Sequence, residues 1–256
     1  MLHWFQKQLI TREAAERIDE CAFWAIATFG AKPFWQHTQL ILPNEQFFPD
    51  KVNGIEPMAQ YVLARVAALS GVSDWPWQLR DGRRMGAEAP PILGLPVARR
   101  FETNAPAAAA YPVESEPRLP VPFVVDQARQ PQDLVASLAH TCAQHMLWQS
   151  QETPPGGLVY FEPASEILAH FCGFGLMLTN TAYTYRGACG RSYNPRANRQ
   201  ASLSESESIY ALALFCQLKS VPTKTVFQYL KPHLKNSYKV ALKQVRDQER
   251  AQELIR

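Results

Sequence analysis

The sequence lacks the cysteine patterns of a disulfide framework and of a cysteine-based zinc site. Five cysteines occur in 256 residues, an odd number, and they are widely spaced with no CxxC pair among them. Disulfide-rich secreted domains have an even number of cysteines, and structural zinc sites have cysteines in closely spaced pairs. We therefore expect a reducing compartment, and the predicted location is the cytoplasm.

Long hydrophobic runs are also missing. The longest one, residues 167–178, has 12 residues and contains His170, whereas a membrane-spanning helix needs about 20. A secretory signal has an apolar segment of about 7–15 residues near the start of the chain, and charges at Lys7, Arg12 and Glu13 interrupt that stretch here. The sequence predicts no transmembrane segment and no secretory signal.

Charged residues are few, and they are unevenly distributed. They make up 19% of the chain beside 46% hydrophobic residues, which excludes the disordered class because the apolar surface is sufficient to form a core. Residues 1–185 contain 13 Lys and Arg against 18 Asp and Glu, whereas residues 186–256 contain 13 against 5. The last quarter of the chain is therefore the predicted basic region.

Two interpretations of this basic region stay open. Its cationic surface residues are predicted in one loop and on one helix, and they are Arg186, Arg191, Arg196, Arg199, Lys235, Lys239 and Lys243. The lysines recur every four positions and form one stripe, as on a solvated helix face. Tyrosines interleaved with the arginines favour binding of nucleic acid or an acidic partner, although no named nucleic-acid-binding motif occurs.

Helical periodicity covers most of the chain. Apolar residues at intervals of three and four predict helices over residues 12–27, 57–69, 131–149, 162–181, 204–219 and 225–246, the last interrupted by Pro232. Thr11 is a predicted N-cap and Gly71 a predicted helix stop. Ser204 and Glu207 have the spacing of a capping box.

A proline-rich stretch separates the predicted helices. Ten of the 20 prolines lie between residues 75 and 131, which excludes a continuous helix there. Short extended pieces are predicted at 39–42, 92–95 and 121–125, and a loop at 104–117. The predicted fold is mainly α (α+β), a single domain over residues 1–256 with a Pro-rich irregular insert at 75–131.

One pair of segments has the spacing of a zinc peptidase site. HTCAQ occupies residues 140–144 of one predicted helix, and EPASE occupies residues 162–166 of the next. In an HExxH helix two histidines four residues apart face one metal ion, and the glutamate between them activates the bound water. In the gluzincin class an ExxxD on a following helix adds the third ligand and a carboxylate that orients a histidine. The order and distance of the two segments fit this arrangement, with only the first histidine present.

Four segments resemble an uncharacterised bacterial protein family: ILPNEQFFPDKVNG, LVASLAH, EPASEILAHFCGFGLMLTN and LSESESIYALALF. That family has an HExxH-containing helix followed by a helix with E-P-L-T-D-L-L and G-F-G. The resemblance spans residues 40–246 outside the proline-rich stretch, and it implies a helical core like that of a zincin-type peptidase. It also implies a metal site on His140, Gln144 and Glu162, with Thr141 in the place of the general base and Glu166 in the place of the Asp.

Two departures from the family pattern remove the implied catalysis. Thr141 has no group that takes a proton from a metal-bound water, and Gln144 is a poor zinc ligand compared with imidazole. We therefore expect a degenerate metallopeptidase-like protein that is not an enzyme, has no resident cofactor and acts through protein interaction or regulation.

Four alternatives remain for these residues and for the basic region, and the first is a vestigial, weakly occupied zinc site on His140 and Glu162. A metal-dependent hydrolase would hold zinc on His140, His145 and Glu162, but His145 lies about 140° round a regular helix from His140, so a π-bulge would be needed. The same positions, with Gln144 and Glu166, are also expected to form a buried polar network between two packed helices. The fourth alternative is binding of nucleic acid or an acidic partner through the basic region.

Overall fold

Helices make up most of the residues that the computed structural model describes, namely 8–82, 89–101, 117–182 and 199–247. They are α1 Arg12–Phe29, α2 Ala31–His37, α3 Ile55–Ser70, α4 Pro131–Ser150, α5 Phe161–Ala169, α6 Gly175–Asn180, α7 Glu205–Leu218, α8 Thr223–Tyr229 and α9 Lys235–Arg246. The predicted mainly α class is confirmed. Pro232 separates α8 from α9, as predicted, whereas α2 was not predicted.

Local hydrogen bonds at the helix ends match the predicted caps. Thr11 Oγ1 accepts a hydrogen bond from the Ala14 N–H at the start of α1. Ser204 and Glu207 make both hydrogen bonds of a capping box at the start of α7. Gly71 ends α3 with a φ of 74°, a left-handed conformation that costs glycine little because it has no Cβ.

Two short strands pair within the proline-rich stretch. β1 Trp77–Asp81 and β2 Leu119–Phe123 run parallel. The predicted strand at 121–125 overlaps β2, but the prediction at 92–95 is wrong because the Leu93 N–H donates to the Gln149 side chain at the end of α4. Almost all of the predicted loop at 104–117 lies outside the described residues.

The predicted helix over residues 162–181 is interrupted. A π-helical segment, His170–Phe174, separates α5 from α6. Gly173 has a φ of 106°, and a Cβ at this position would lie 2.3 Å from the Gln39 carbonyl oxygen. The Gly173 carbonyl accepts the Ile41 N–H at 2.9 Å. Residues 39–42, which were predicted as a strand, therefore lie against this interruption and are not part of a sheet.

The central helix is α4, which packs against α3, α5, α6 and β2. Its predicted apolar face, with Leu134, Leu138, Cys142 and Met146, is buried. α5 runs back along α4 and places residues 162–166 beside residues 140–144. In the described parts of the chain, none of the helices combines the length and the apolar character needed to cross a membrane.

Candidate functional site

Three of the implied site residues meet between α4 and α5. Gln144 Nε2 donates to Glu162 Oε2 at 2.8 Å, and His140 Nε2 lies 3.8 Å from the same carboxylate oxygen. His140 Nε2 is closer to Ser165 Oγ, at 2.9 Å. The spacing that the sequence shares with a zinc peptidase site therefore does bring residues 140, 144 and 162 together.

Ser165 holds the His140 ring through a hydrogen bond at Nε2. Ser165 Oγ donates its proton to the Glu162 carbonyl at 2.8 Å, so this hydroxyl accepts from the His140 Nε2–H. Burial lowers the pKa of His140, and the nearby Glu162 and Glu166 carboxylates only partly oppose this effect. A metal ion on Nε2 would have to displace both the proton and the Ser165 hydrogen bond.

Glu166, the second carboxylate of the EPASE segment, is fully buried and accepts hydrogen bonds on both oxygens. Arg199 Nη2 donates to Oε1 at 2.6 Å. Oε2 accepts from the Ser202 N–H and Oγ, each at 2.6 Å, and from the Leu203 N–H at 3.2 Å. Burial on its own would raise the pKa of Glu166, but the charge and hydrogen bond of Arg199 outweigh it and lower the pKa to about 2.

The assignment of Arg199 to a basic surface is wrong. Only 4% of this residue is exposed, and its guanidinium also donates to Thr181 Oγ1 and to the Leu178 carbonyl. A run of arginines in a polar loop resembles a solvated surface in sequence. The buried carboxylate of Glu166 nevertheless requires a cation, and Arg199 supplies it from the end of that loop.

His145 is not part of the cluster. Its Nε2–H donates to the Pro120 carbonyl in β2 at 2.8 Å, and its ring makes an edge contact with Trp77. Burial lowers the pKa of His145. α4 is a regular helix without the π-bulge that would turn His145 towards His140. The ligand set of His140, His145 and Glu162 is therefore not assembled.

The donor set does not fit a zinc site. Thr141 is half-buried, and among the described residues no hydrogen bond joins its hydroxyl to the cluster. Gln144 presents its amide N–H to Glu162, and a metal ion needs a lone pair instead. Within the described ranges, no three His, Cys, Asp or Glu side chains are grouped as metal ligands.

The remaining basic residues have different surroundings. Arg186, Arg191 and Arg196 lie outside the described residues. Lys235 and Lys239 lie over the Phe227 ring, with their Nζ atoms 5.8 and 5.6 Å from its centroid, whereas Lys243 is exposed. The α9 stripe is therefore partly a packing surface, in which lysine stems cover an aromatic ring.

His170 belongs to a second buried network that the site prediction omitted. Its Nδ1–H donates to the Glu166 carbonyl at 2.9 Å, so Nε2 accepts from Ser208 Oγ at 3.0 Å. Burial lowers the pKa of His170 to about 4. This ring links α5, through the Glu166 carbonyl, to α7, through Ser208.

Arg99 is a further residue that the sequence reasoning missed. Its N–H donates to the Phe29 carbonyl, its Nε to the Ser70 carbonyl and its Nη1 to Thr38 Oγ1. These acceptors lie at the C-terminal ends of α1, α3 and α2, where helix dipoles place partial negative charge. No motif marks Arg99, because its partners are backbone and cap positions far away in sequence.

Comparisons with known protein families, with curated proteins and with solved structures found no match to this chain. The resemblance of residues 140–144 and 162–166 to a zinc peptidase helix pair therefore depends on these residues alone. Their contacts, rather than a related protein, provide the basis for a function.

Proposed function

We propose that this protein is a non-catalytic member of the metallopeptidase-like class and acts by binding another protein. One observation carries the proposal: the side chains at the implied ligand positions are engaged with other side chains of the protein. His140 donates to Ser165, and Gln144 donates to Glu162. Such contacts stabilise a helix pair but leave no set of lone pairs directed at one metal ion.

The residue in the place of the general base supports the same proposal. Hydrolysis needs a group that takes a proton from water, and Thr141 is unsuited to this role. Glu166 already accepts hydrogen bonds from Arg199, Ser202 and Leu203 on its two oxygens. Glu162 remains half-exposed, but one of its oxygens accepts from Gln144. The polar cluster is thus better suited to holding structure than to proton transfer.

We further propose that the protein acts in the cytoplasm. Its described cysteines are unpaired and buried, and they are Cys21, Cys142, Cys172 and Cys216. Burial raises the pKa of each of these thiols, which favours the unreactive protonated form. Unpaired core cysteines of this kind are typical of proteins from reducing compartments.

A hydrolysis assay tests the proposal. Wild-type protein and a His140→Ala variant are each incubated with zinc, cobalt(II) or manganese(II), together with unfolded casein and a mixture of fluorogenic peptides. We expect no cleavage above the metal-only background and no difference between the two proteins. Metal-dependent cleavage by the wild type that disappears in His140→Ala would overturn the proposal.

A further inference from the structure

Four lysines on the last two helices form one charged surface. Three are exposed and one is half-buried, and we call them the lysine face: Lys224 of α8 and Lys235, Lys239 and Lys243 of α9. On α9 the lysines recur every four residues, so their side chains follow one another along one side of the helix. Exposed charges within a Debye length of each other, about 8–10 Å, act together on a partner.

The Phe227 ring brings the two helices of the lysine face together. This ring of α8 meets the Tyr238 ring of α9 edge-on, with 5.9 Å between the centroids, and Tyr238 is completely buried. The Nζ atoms of Lys235 and Lys239 lie 5.8 and 5.6 Å from the Phe227 centroid. Lys224 precedes Phe227 by three residues, so it lies on the same side of α8. The face is therefore assembled in space by a packed aromatic pair, on which lysine stems hold their ammonium groups near each other.

Among the residues that the structure describes, no ion pair joins the lysine face to a carboxylate. α9 packs mainly on α7, and the two acidic residues of α7 lie in its first turn. Glu205 Oε2 lies 3.7 Å from His233 Nε2, and Glu207 accepts the Ser204 N–H in the capping box. An anionic partner would therefore meet ammonium groups whose charge the neighbouring helix does not already neutralise.

The composition of the lysine face distinguishes between classes of anionic partner. In the described chain, none of the exposed large apolar residues lies on α8 or α9. An amphipathic helix bound to a membrane needs such side chains to enter the lipid interface. Protein interfaces are depleted of lysine and depend on aromatic or arginine anchors, whereas lysine and arginine are the main ligands of phosphate backbones. A phosphate polymer is therefore the occupant that this surface fits best.

The length of the α9 lysine stripe matches one groove of duplex DNA. Lys235 and Lys243 are eight residues apart, which is about 12 Å along a helix that rises 1.5 Å per residue. The major groove of B-DNA is about 12 Å wide, and a phosphate backbone borders it on each side. Lysines at the two ends of the stripe therefore reach both backbones. The major groove of an A-form RNA duplex is deep and narrow, so it fits this stripe less well.

We propose that the lysine face binds the phosphate backbone of double-stranded DNA without reading its sequence. Each lysine presents an ammonium group that contacts a phosphate as a point charge, and such a contact carries no sequence information. Counterions leave the DNA when these contacts form, so the affinity falls steeply as salt is added. This inference goes beyond the proposed function, because it assigns a second class of partner to α8 and α9 instead of the α4–α5 cluster.

Fluorescence anisotropy with a labelled 20-bp DNA duplex tests the proposal. The association constant K of the wild-type protein is measured between 50 and 200 mM KCl. Four phosphate contacts predict a slope of about −3.6 in log K against log salt concentration, which weakens binding on the order of 100-fold over this range. We expect the same affinity for a second duplex of unrelated sequence.

Two variants of equal net charge separate the lysine face from the general charge of the protein. In Lys239→Gln/Lys243→Gln, we expect the slope to become shallower by about 1.8 and the affinity at 50 mM KCl to fall by about 10-fold or more. Lys32→Gln/Lys51→Gln removes two exposed lysines outside α8 and α9 and is expected to bind as wild type does. Lys239→Arg/Lys243→Arg keeps the charge and should keep the affinity. Circular dichroism and the urea midpoint verify that each variant is folded.

Several outcomes would overturn the proposal. These are the absence of binding at 50 mM KCl, an affinity that does not depend on salt, or equal losses in the two charge-matched variants. Tighter binding to an RNA duplex, to poly-L-glutamate or to vesicles that contain phosphatidylserine, lost in Lys239→Gln/Lys243→Gln, would assign the lysine face to another occupant. Peptide hydrolysis is measured separately, so none of these results decides the proposed function.

Discussion

The Arg199 guanidinium donates to Glu166 Oε1 at 2.6 Å in the interior of the protein, across 33 residues of sequence. The Ser202 and Leu203 N–H groups bind the other carboxylate oxygen. Glu166 thus anchors the segment that precedes α7. A carboxylate that the resemblance to a zinc peptidase site would place beside a metal ion is a structural anchor in this protein.

Removal of Arg199 is expected to destabilise the protein strongly. Arg199→Met leaves the Glu166 carboxylate buried without a cation, which costs about 3–5 kcal/mol in the free energy of unfolding. Urea denaturation at neutral pH measures this loss. Lys243→Met is the matched control, since Lys243 was grouped with Arg199 in sequence but is exposed, and it is expected to change stability by less than about 0.5 kcal/mol. Similar effects of the two substitutions would contradict this account.

Gly173 is expected to tolerate no side chain. Gly173→Ala puts a Cβ 2.3 Å from the Gln39 carbonyl oxygen and also forces a residue with a Cβ into a φ of 106°, so we expect a loss of about 3 kcal/mol or more. Gly157→Ala has a similar positive φ but open space around the Cβ, and its expected cost is about 1 kcal/mol. Thermal or urea unfolding compares the two. An equal loss of stability in both variants would show that the clash with the Gln39 carbonyl adds nothing to the cost of the positive φ.

The free energy of unfolding is expected to decrease on acidification at pH values above those at which Glu166 is protonated. Burial lowers the pKa values of His140, His145 and His170, the last to about 4, from 6.5 in the unfolded chain. Below pH 6.5 the unfolded state therefore binds more protons than the folded state. Stability, complete above this pH, should decrease as the pH falls towards 4, by up to about 1.4 kcal/mol per pH unit for each histidine.

Urea midpoints between pH 7 and pH 5 measure this decrease. His170→Gln is expected to reduce the pH slope by about one proton, because the substitution removes one of the three buried imidazoles. A stability that is constant over this pH range would show that the three buried histidines accept protons in the folded state. The Glu166 carboxylate contributes only at lower pH, between its ordinary pKa of 4.5 and about 2.

The helix ends were predictable because their signals are local. The Ser204 and Glu207 capping box and the Gly71 stop depend on residues within a few positions of each other, and the structure contains both. The interruption at Gly173 was not predictable, because it depends on a backbone that approaches from residues 39–41. Helical periodicity alone describes residues 162–181 as one continuous helix.

The candidate site was predictable in position but not in its contacts. A four-residue spacing places His140 and Gln144 on one face of α4, and a short connection brings Glu162 opposite them. Ser165 lies within the EPASE segment, but the motif assigns no role to it, and Arg199, which binds Glu166, has no fixed spacing to the motif. Their roles follow only from burial, since each buried polar group needs a partner and the fold determines which one is near.

Introduction of a second histidine tests whether α4 and α5 have the geometry of a metal site. Because the Gln144 side chain already contacts Glu162, Gln144→His places a third donor beside Glu162 and His140. We expect this variant to bind about one zinc ion per chain, as measured by titration with a zinc indicator. Gln144→His with His145→Gln should bind equally well, because His145 faces β2. No zinc binding by either variant would contradict a metallopeptidase-like geometry.

The zinc content of the wild-type protein tests the central claim most directly. Protein purified without chelators or a metal-affinity tag is analysed by inductively coupled plasma mass spectrometry, with His140→Ala as the control. We predict zinc far below one equivalent per chain and no difference between the two proteins, because Ser165 and Gln144 engage His140 and Glu162. One equivalent of zinc in the wild type that is lost in His140→Ala would contradict a non-catalytic, metal-free site.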